Sequence, residues 1–145
     1  MMINTMKTAM IIASDAGART AGIMREELGK EVDLFSVSER SGCVRIDSIT
    51  DFTLRHFGDY EAFVFIGAMG ICVRAIAPCV TSKYADPAVV NVDATGHFVV
   101  SVLAGHVGGA NALTERLARI LGAQPVVTTQ SDNTGLWALD LLGKE

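Results

Sequence analysis

Two glycine-rich stretches, Gly67-Ala68-Met69-Gly70 and Gly105-His106-Val107-Gly108-Gly109-Ala110-Asn111, each follow an apolar run and precede residues with helical spacing. Glycine has no Cβ, so backbone N–H groups in such loops can approach a ligand closely. The first turn of the helix behind them adds a positive partial charge, and the combination suits anions. Neither stretch has the G-x-x-x-x-G-K-[ST] or G-x-G-x-x-G spacing of nucleotide loops, which makes mononucleotides and dinucleotides the weaker ligands. His106 lies inside the second stretch, where an imidazole titrating near neutrality suits a general base or a donor to an oxyanion. Arg74 is the single charge in the apolar run Ile71–Ala77, so a partner carboxylate or an anionic ligand is expected for it. Lys83 and Asp86 precede Pro87 in a loop. Asn111 is placed to cap a helix or line a cleft, and Thr128, Thr129, Ser131 and Asp132 supply hydroxyls and a carboxylate after the last apolar run. Tight turns, a structural histidine and solvated loop charges are the plainer explanations of the same residues. His56 and His97 carry no expected role.

The elements that must position these residues alternate. Lys7–Ser14, Val32–Val37 and Ala62–Ile66 read as strands, the first and third apolar throughout as expected of strands buried on both faces. Helices are expected over Ala18–Leu28, closed by Gly29, and from a cap at Ser48 or Thr50 to about Phe57, closed by Gly58. A further apolar helix after Gly70 stops at Pro78. Ala88–Val92 and Phe98–Leu103, separated by a turn around Gly96, must pair antiparallel. A helix then runs to Leu121 with Ala110, Leu113, Leu117 and Leu121 on one stripe. Pro125–Thr128 reads as a last strand and Thr134–Leu142 as a short terminal helix. The pattern predicts one α/β domain over residues 1–145: a three-layer, doubly wound, mostly parallel sheet of five or six strands with one β-hairpin. Both glycine stretches follow strands, so they are expected to converge on one cleft at the carboxyl edge of the sheet.

Composition narrows the partners. Half the residues are hydrophobic and 19% are charged, which excludes a disordered chain. The net charge of −4 gives no long-range attraction for nucleic acid, so any anion must be held by local groups. Apolar runs are strand-sized and no basic leader precedes an apolar segment, so a cytoplasmic protein without membrane association is expected. Cys43, Cys72 and Cys79 form no Cys-x-x-Cys pair, which predicts free thiols and no bound metal.

The same residues carry a family resemblance. Phe65–Asp93, Gly96–Asn111 and Val126–Asp132 contain, in order, Gly-x-x-Gly, Arg-Ala-Ile-Ala-Pro, Lys-x-x-Asp-Pro-Ala-Val and Gly-His-x-Gly-Gly-Ala-Asn, over about residues 60 to 140. This closely resembles the N-terminal part of the CbiG family, the cobalt-precorrin-5A hydrolases of cobalamin (vitamin B12) biosynthesis. The resemblance implies opening of the ring A δ-lactone of a cobalt-bearing tetrapyrrole and release of acetaldehyde, a reaction that needs an activated water and donors for a developing oxyanion. It implies a site at Gly105, His106, Gly108, Gly109 and Asn111, with Gly67, Gly70, Arg74 and Lys83 as contacts to substrate carboxylates; within that set we read His106 and Asn111 as catalytic and the glycines as substrate-binding, and from the residues themselves we add Thr129 and Asp132 as substrate contacts. No cofactor is implied, since the substrate carries the cobalt. Expected partners are the cobalt-precorrin, the family's further C-terminal domain, which these residues do not include, and other cobalamin-pathway enzymes. Gln130 departs from the small residue common at its place. Two other functions compete: a non-catalytic corrinoid-binding domain, and an unrelated anion-binding module for phosphorylated metabolites.

Overall fold

The computed structural model describes residues 6–105 and 107–129. Seven strands form one sheet in the order β3-β2-β1-β4-β5-β6-β7. The central strands β1 (Thr8–Ile12), β4 (Ala62–Ile66) and β5 (Ala88–Val92) are buried along their whole length, which is why they read as unbroken apolar runs. Strand β2 (Val32–Ser36) exposes only Asp33. At one edge β3 (Val44–Arg45) pairs with the end of β2; its two exposed residues carry no apolar run, so the sequence does not announce it. At the other edge β7 (Gln124–Val126) pairs with β6 (Phe98–Leu103), one residue earlier and shorter than the predicted Pro125–Thr128. Among the described residues seven strands thus replace the expected five or six.

Helices α1 (Ala18–Leu28) and α4 (Ala110–Leu121) cover one face, with Met24, Leu28, Leu113 and Leu117 buried against Met10, Ile12, Val64 and Val90. Helices α2 (Ile49–His56) and α3 (Met69–Ile76) cover the other, over Ala9, Ile11, Phe63, Phe65 and Val89. This is the three-layer α/β fold that the alternation implies. Ser48 caps α2, its hydroxyl accepting from the Asp51 N–H at 3.1 Å. Among the described residues no helix is long and apolar enough to cross a membrane. The expected terminal helix Thr134–Leu142 lies outside the described residues.

Strands β1 to β5 are parallel, and β6 runs antiparallel to β5 with Val92 opposite Val99 and Val89 opposite Leu103. The connection 93–97 is tied down by Asp93. Its Oδ1 accepts from the N–H groups of His97 at 2.7 Å and Phe98 at 2.6 Å, and its Oδ2 accepts from the Thr95 hydroxyl at 2.8 Å. Thr20 on α1 reaches the same turn, its hydroxyl donating to the Ala94 carbonyl at 2.7 Å. Partial burial alone would push the Asp93 carboxyl up, but the donors of Phe98, Thr95 and His97 outweigh it and hold the carboxyl below its usual range. A lowered folded-state pKa adds stability above the unfolded-state value of about 3.9, and that stability is lost as the pH falls through the folded-state value. Asp93→Asn is therefore expected to lower the thermal midpoint at pH 7, and the gap to wild type should close as the pH is taken below the ordinary carboxylate range. Equal midpoints at pH 7, or a gap that widens in acid, would refute this role for the turn.

Candidate functional site

Strand β6 ends at Leu103 and the chain turns at once. Ala104 takes φ 57, a left-handed conformation that costs energy in a residue with a Cβ, and Gly109 at φ 89 opens α4. Two backbone hydrogen bonds close the loop on itself: Ala110 N–H to the Ala104 carbonyl at 3.2 Å, and Asn111 N–H to the Gly105 carbonyl at 3.0 Å. The Asn111 side chain, only 7% exposed, then joins three elements. Its Oδ1 accepts from the Ser101 hydroxyl of β6 at 2.7 Å, and its Nδ2 donates to Thr129 Oγ1, just past β7, at 2.7 Å.

Glycine at 105 is dictated by this contact, because a Cβ there would come within 2.6 Å of Asn111 Oδ1. Gly108 is as closely packed, 2.6 Å from the Ala104 Cβ and 3.5 Å from the Ala88 nitrogen. The loop is thus braced from within, and Thr129, whose oxygen already accepts from Asn111, is oriented to use its own O–H as a donor. A hydroxyl donor beside the positive end of a twelve-residue helix dipole can hold a carboxylate or a developing oxyanion.

Of the expected site residues, Gly105, Gly108, Gly109, Asn111 and Thr129 come together here. His106 and Asp132 lie outside the described residues. Lys83 is exposed in the loop 77–87, which leads into Ala88 and so ends at the same edge of the sheet. Its ammonium lies 5.4 Å from the Tyr84 ring centre. The neighbouring Asp86 is not a solvated charge as expected but is buried, accepting from the Thr81 hydroxyl and from the N–H groups of Thr81 and Ser82.

Gly67, Gly70 and Arg74 are elsewhere, and the expected single cleft does not form. Gly67 follows β4 at the edge where Ile66 pairs with Ile12 and Val92, whereas the β6 loop follows Leu103, which pairs with Val89 near the other end of β5. The hairpin reverses β6, so its carboxyl end points opposite to that of β4. The two loops are separated by the length of a five-residue strand, about 15 Å. Gly67 has its own packing reason: a Cβ there would lie 2.8 Å from the Cβ of Ala13. Gly70 is exposed at the start of α3. Arg74 is also exposed, on the helix face opposite the buried Cys72, Ala75 and Ile76, so it needs no buried partner, contrary to expectation.

Ser101 escaped the sequence reading, although it is the one hydroxyl inside Phe98–Leu103 and so a polar residue facing a helix. The thiols are free. Burial pushes Cys72 up to about 12, and burial together with the Asp86 carboxylate raises Cys79, whose Sγ donates to the Ala75 carbonyl at 3.6 Å. Neither is a thiolate at neutral pH. Among the described residues no group of three His, Cys, Asp or Glu side chains could hold a metal ion.

The family described as cobalamin synthesis G N-terminal matches residues 51–132, a span that includes both glycine loops, Arg74, Lys83, Asn111 and Thr129. The cobalt-precorrin-5A hydrolase of Salmonella typhimurium is 56% identical over 86 residues, 59% of this chain and 24% of that protein. That of Priestia megaterium is 48% identical over 88 residues, 61% of this chain and 24% of that protein. A crystal structure of a cobalamin biosynthesis protein G homologue from Sulfolobus solfataricus superposes with a TM-score of 0.67 at 26% identity, covering 83% of this chain and 36% of that one. The matched stretch therefore spans about a quarter of the length of the two bacterial relatives.

The bracing of the loop can be measured. Asn111→Ala leaves the Ser101 and Thr129 hydroxyls without their partner and should cost about 1–3 kcal/mol of stability in urea unfolding. Gly105→Ala should be destabilising in the wild-type background and close to neutral beside Asn111→Ala, because the clashing amide is gone. Additive effects of the two substitutions would show that the contact does not shape the loop.

Proposed function

This chain belongs to the cobalamin synthesis G N-terminal family, and on that premise we propose that it is the N-terminal, substrate-contacting part of a cobalt-precorrin-5A hydrolase. The observation that carries this reading is the 56% identity over 86 residues with a protein of that name, together with a family match that includes both glycine loops. In the reaction proposed, water adds to the carbonyl of the ring A δ-lactone and the ring C–O bond breaks, leaving a carboxylate and an alcohol. Loss of the alcohol proton as the adjacent carbon–carbon bond breaks releases acetaldehyde, and the electron pair stays on the macrocycle.

The water attack is assigned to residues of the Gly105–Asn111 stretch and to Thr129. His106 takes the proton of the attacking water. The Thr129 hydroxyl and the positive end of the α4 dipole face the oxyanion. Asn111, whose amide is engaged with Ser101 and Thr129, acts as a positioning residue. Gly105, Gly108 and Gly109 let the substrate approach the backbone, Lys83 contacts it from the loop 77–87, and Asp132 is a further substrate contact. Gly67 and Gly70, at the opposite edge, and Arg74, in the last turn of α3, contact other parts of the macrocycle or its carboxylates. The cobalt enters as part of the substrate.

A second reading has a specific observation behind it: the matched stretch is 24% of its relatives' length. On that reading the chain binds the corrinoid and needs the rest of such a protein, or another cobalamin-pathway enzyme, for turnover. Incubation with cobalt-precorrin-5A and trapping of acetaldehyde separates the two. Release by the chain alone makes it a self-sufficient hydrolase, and release only when the remaining region of a relative is added makes it the binding part. His106→Ala should slow release by roughly 10²–10⁴-fold in either case. No release in either mixture, with the substrate spectrum unchanged by the chain, would end the hydrolase reading.

A further inference from the structure

Parallel neighbours in a sheet normally need a crossover of a dozen or more residues, usually a helix. Strands β2 and β3 are parallel neighbours joined by only the seven residues 37–43. These residues lie on the α1 side of the sheet without forming a helix, and the space beside α1 is a cavity of about 820 Å³. That volume lies within the range of small-molecule sites.

Its floor is apolar: Ile12 at the end of β1, Leu34 in β2 and the half-buried Cys43. The wall formed by α1 is low because Gly22, where a Cβ would meet nothing within 4 Å, stands where a larger residue would fill the space. Arginines stand on both sides. Arg25 extends from α1 toward the loop, its Nη1 3.8 Å from the position of a Cβ on Gly42. Arg40, on the loop, is fixed by an ion pair with Asp15, and its Nε is buried with no acceptor among the described residues. With Lys30 the lining carries three cations and the exposed carboxylates Glu26 and Glu39, and Asp15 pairs with Arg40, so the charges balance and a preference for an anion comes from where Arg25 and Arg40 stand.

We propose that this cavity binds the carboxylate-bearing edge of a tetrapyrrole, with Arg25 and Arg40 meeting the carboxylates and Ile12 and Leu34 lying under the apolar ring. The identification of the ligand rests on the reading of the chain as part of a cobalt-precorrin hydrolase; the site itself is distinct from the β6 loop and from Gly67–Gly70. A planar guanidinium pairs a carboxylate through two parallel hydrogen bonds, so two arginines flanking an apolar floor select a ligand that is greasy in the middle and anionic at the rim.

The test uses coproporphyrin III, a tetracarboxylate porphyrin, titrated into the chain and followed by fluorescence anisotropy. Arg25→Glu should weaken binding by about 10–100-fold, the range of one charge-assisted contact. Gly22→Leu should abolish binding by filling the cavity while raising the thermal midpoint, since leucine favours a helix interior over glycine. A lost signal in that variant therefore cannot be ascribed to unfolding. Equal affinity in wild type and both variants, binding of an uncharged alkyl porphyrin as tight as that of coproporphyrin III, or no binding by wild type would each overturn the proposal. Acetaldehyde release from cobalt-precorrin-5A, measured on the same variants, reports separately on the hydrolase reading. Release that persists while the cavity variants bind porphyrin like wild type would sink the cavity and leave the hydrolase standing.

Discussion

Asp93 accepts three hydrogen bonds within five residues, and the direction of every element after it depends on the turn those bonds hold. Up to β5 the chain builds a parallel sheet whose strand ends share one edge. After the turn, β6 and β7 run the other way, so α4 begins where α3 ends rather than where α3 begins. A protein wound in one direction would gather its helix N-termini in a single crevice. This one distributes them over both edges, and the residues available to a ligand at either edge follow from that reversal.

Regular elements were legible because burial leaves its mark on composition. Ala62–Ile66, Ala88–Val92, Phe98–Leu103 and Ala18–Leu28 have the bounds that apolar runs and flanking glycines suggest. What the pattern could not convey was anything without a burial signal. Strand β3 is two exposed residues held by backbone pairing alone, and Arg74 reads as buried in a linear run yet faces solvent on a helix that hides only one side. The single cleft failed for a different reason. The hairpin itself was legible, but its consequence, that the carboxyl end of β6 lies opposite that of β4, is topological and appears in no local window.

Within the β6 loop the glycines serve packing first. Gly105 exists because Asn111 Oδ1 occupies the space of its side chain, and Gly108 because Ala104 does. A loop held this tightly keeps the start of the α4 dipole and the Thr129 hydroxyl in one arrangement, which is what electrostatic stabilisation of an oxyanion requires: dipoles that need not reorganise as charge develops. Packing and ligand binding are therefore not rival explanations of these glycines. The clash that excludes a Cβ is also what fixes the dipoles.

An acidic domain that handles a polycarboxylate cannot rely on net charge, since at physiological ionic strength a field decays within about 8 Å in any case. Contact has to come from groups whose charge or dipole is directed locally. The structure holds two kinds, at different places: backbone dipoles at the starts of α3 and α4, on opposite edges of the sheet, and guanidinium groups beside the cavity left by the short β2–β3 connection. Amides tolerate any oxyanion that fits, while arginines discriminate by the planar fork of a carboxylate. A division of labour follows from the chemistry: the arginine-flanked cavity is suited to choosing the ligand by its carboxylates, and the β6 loop to meeting negative charge that appears only during reaction.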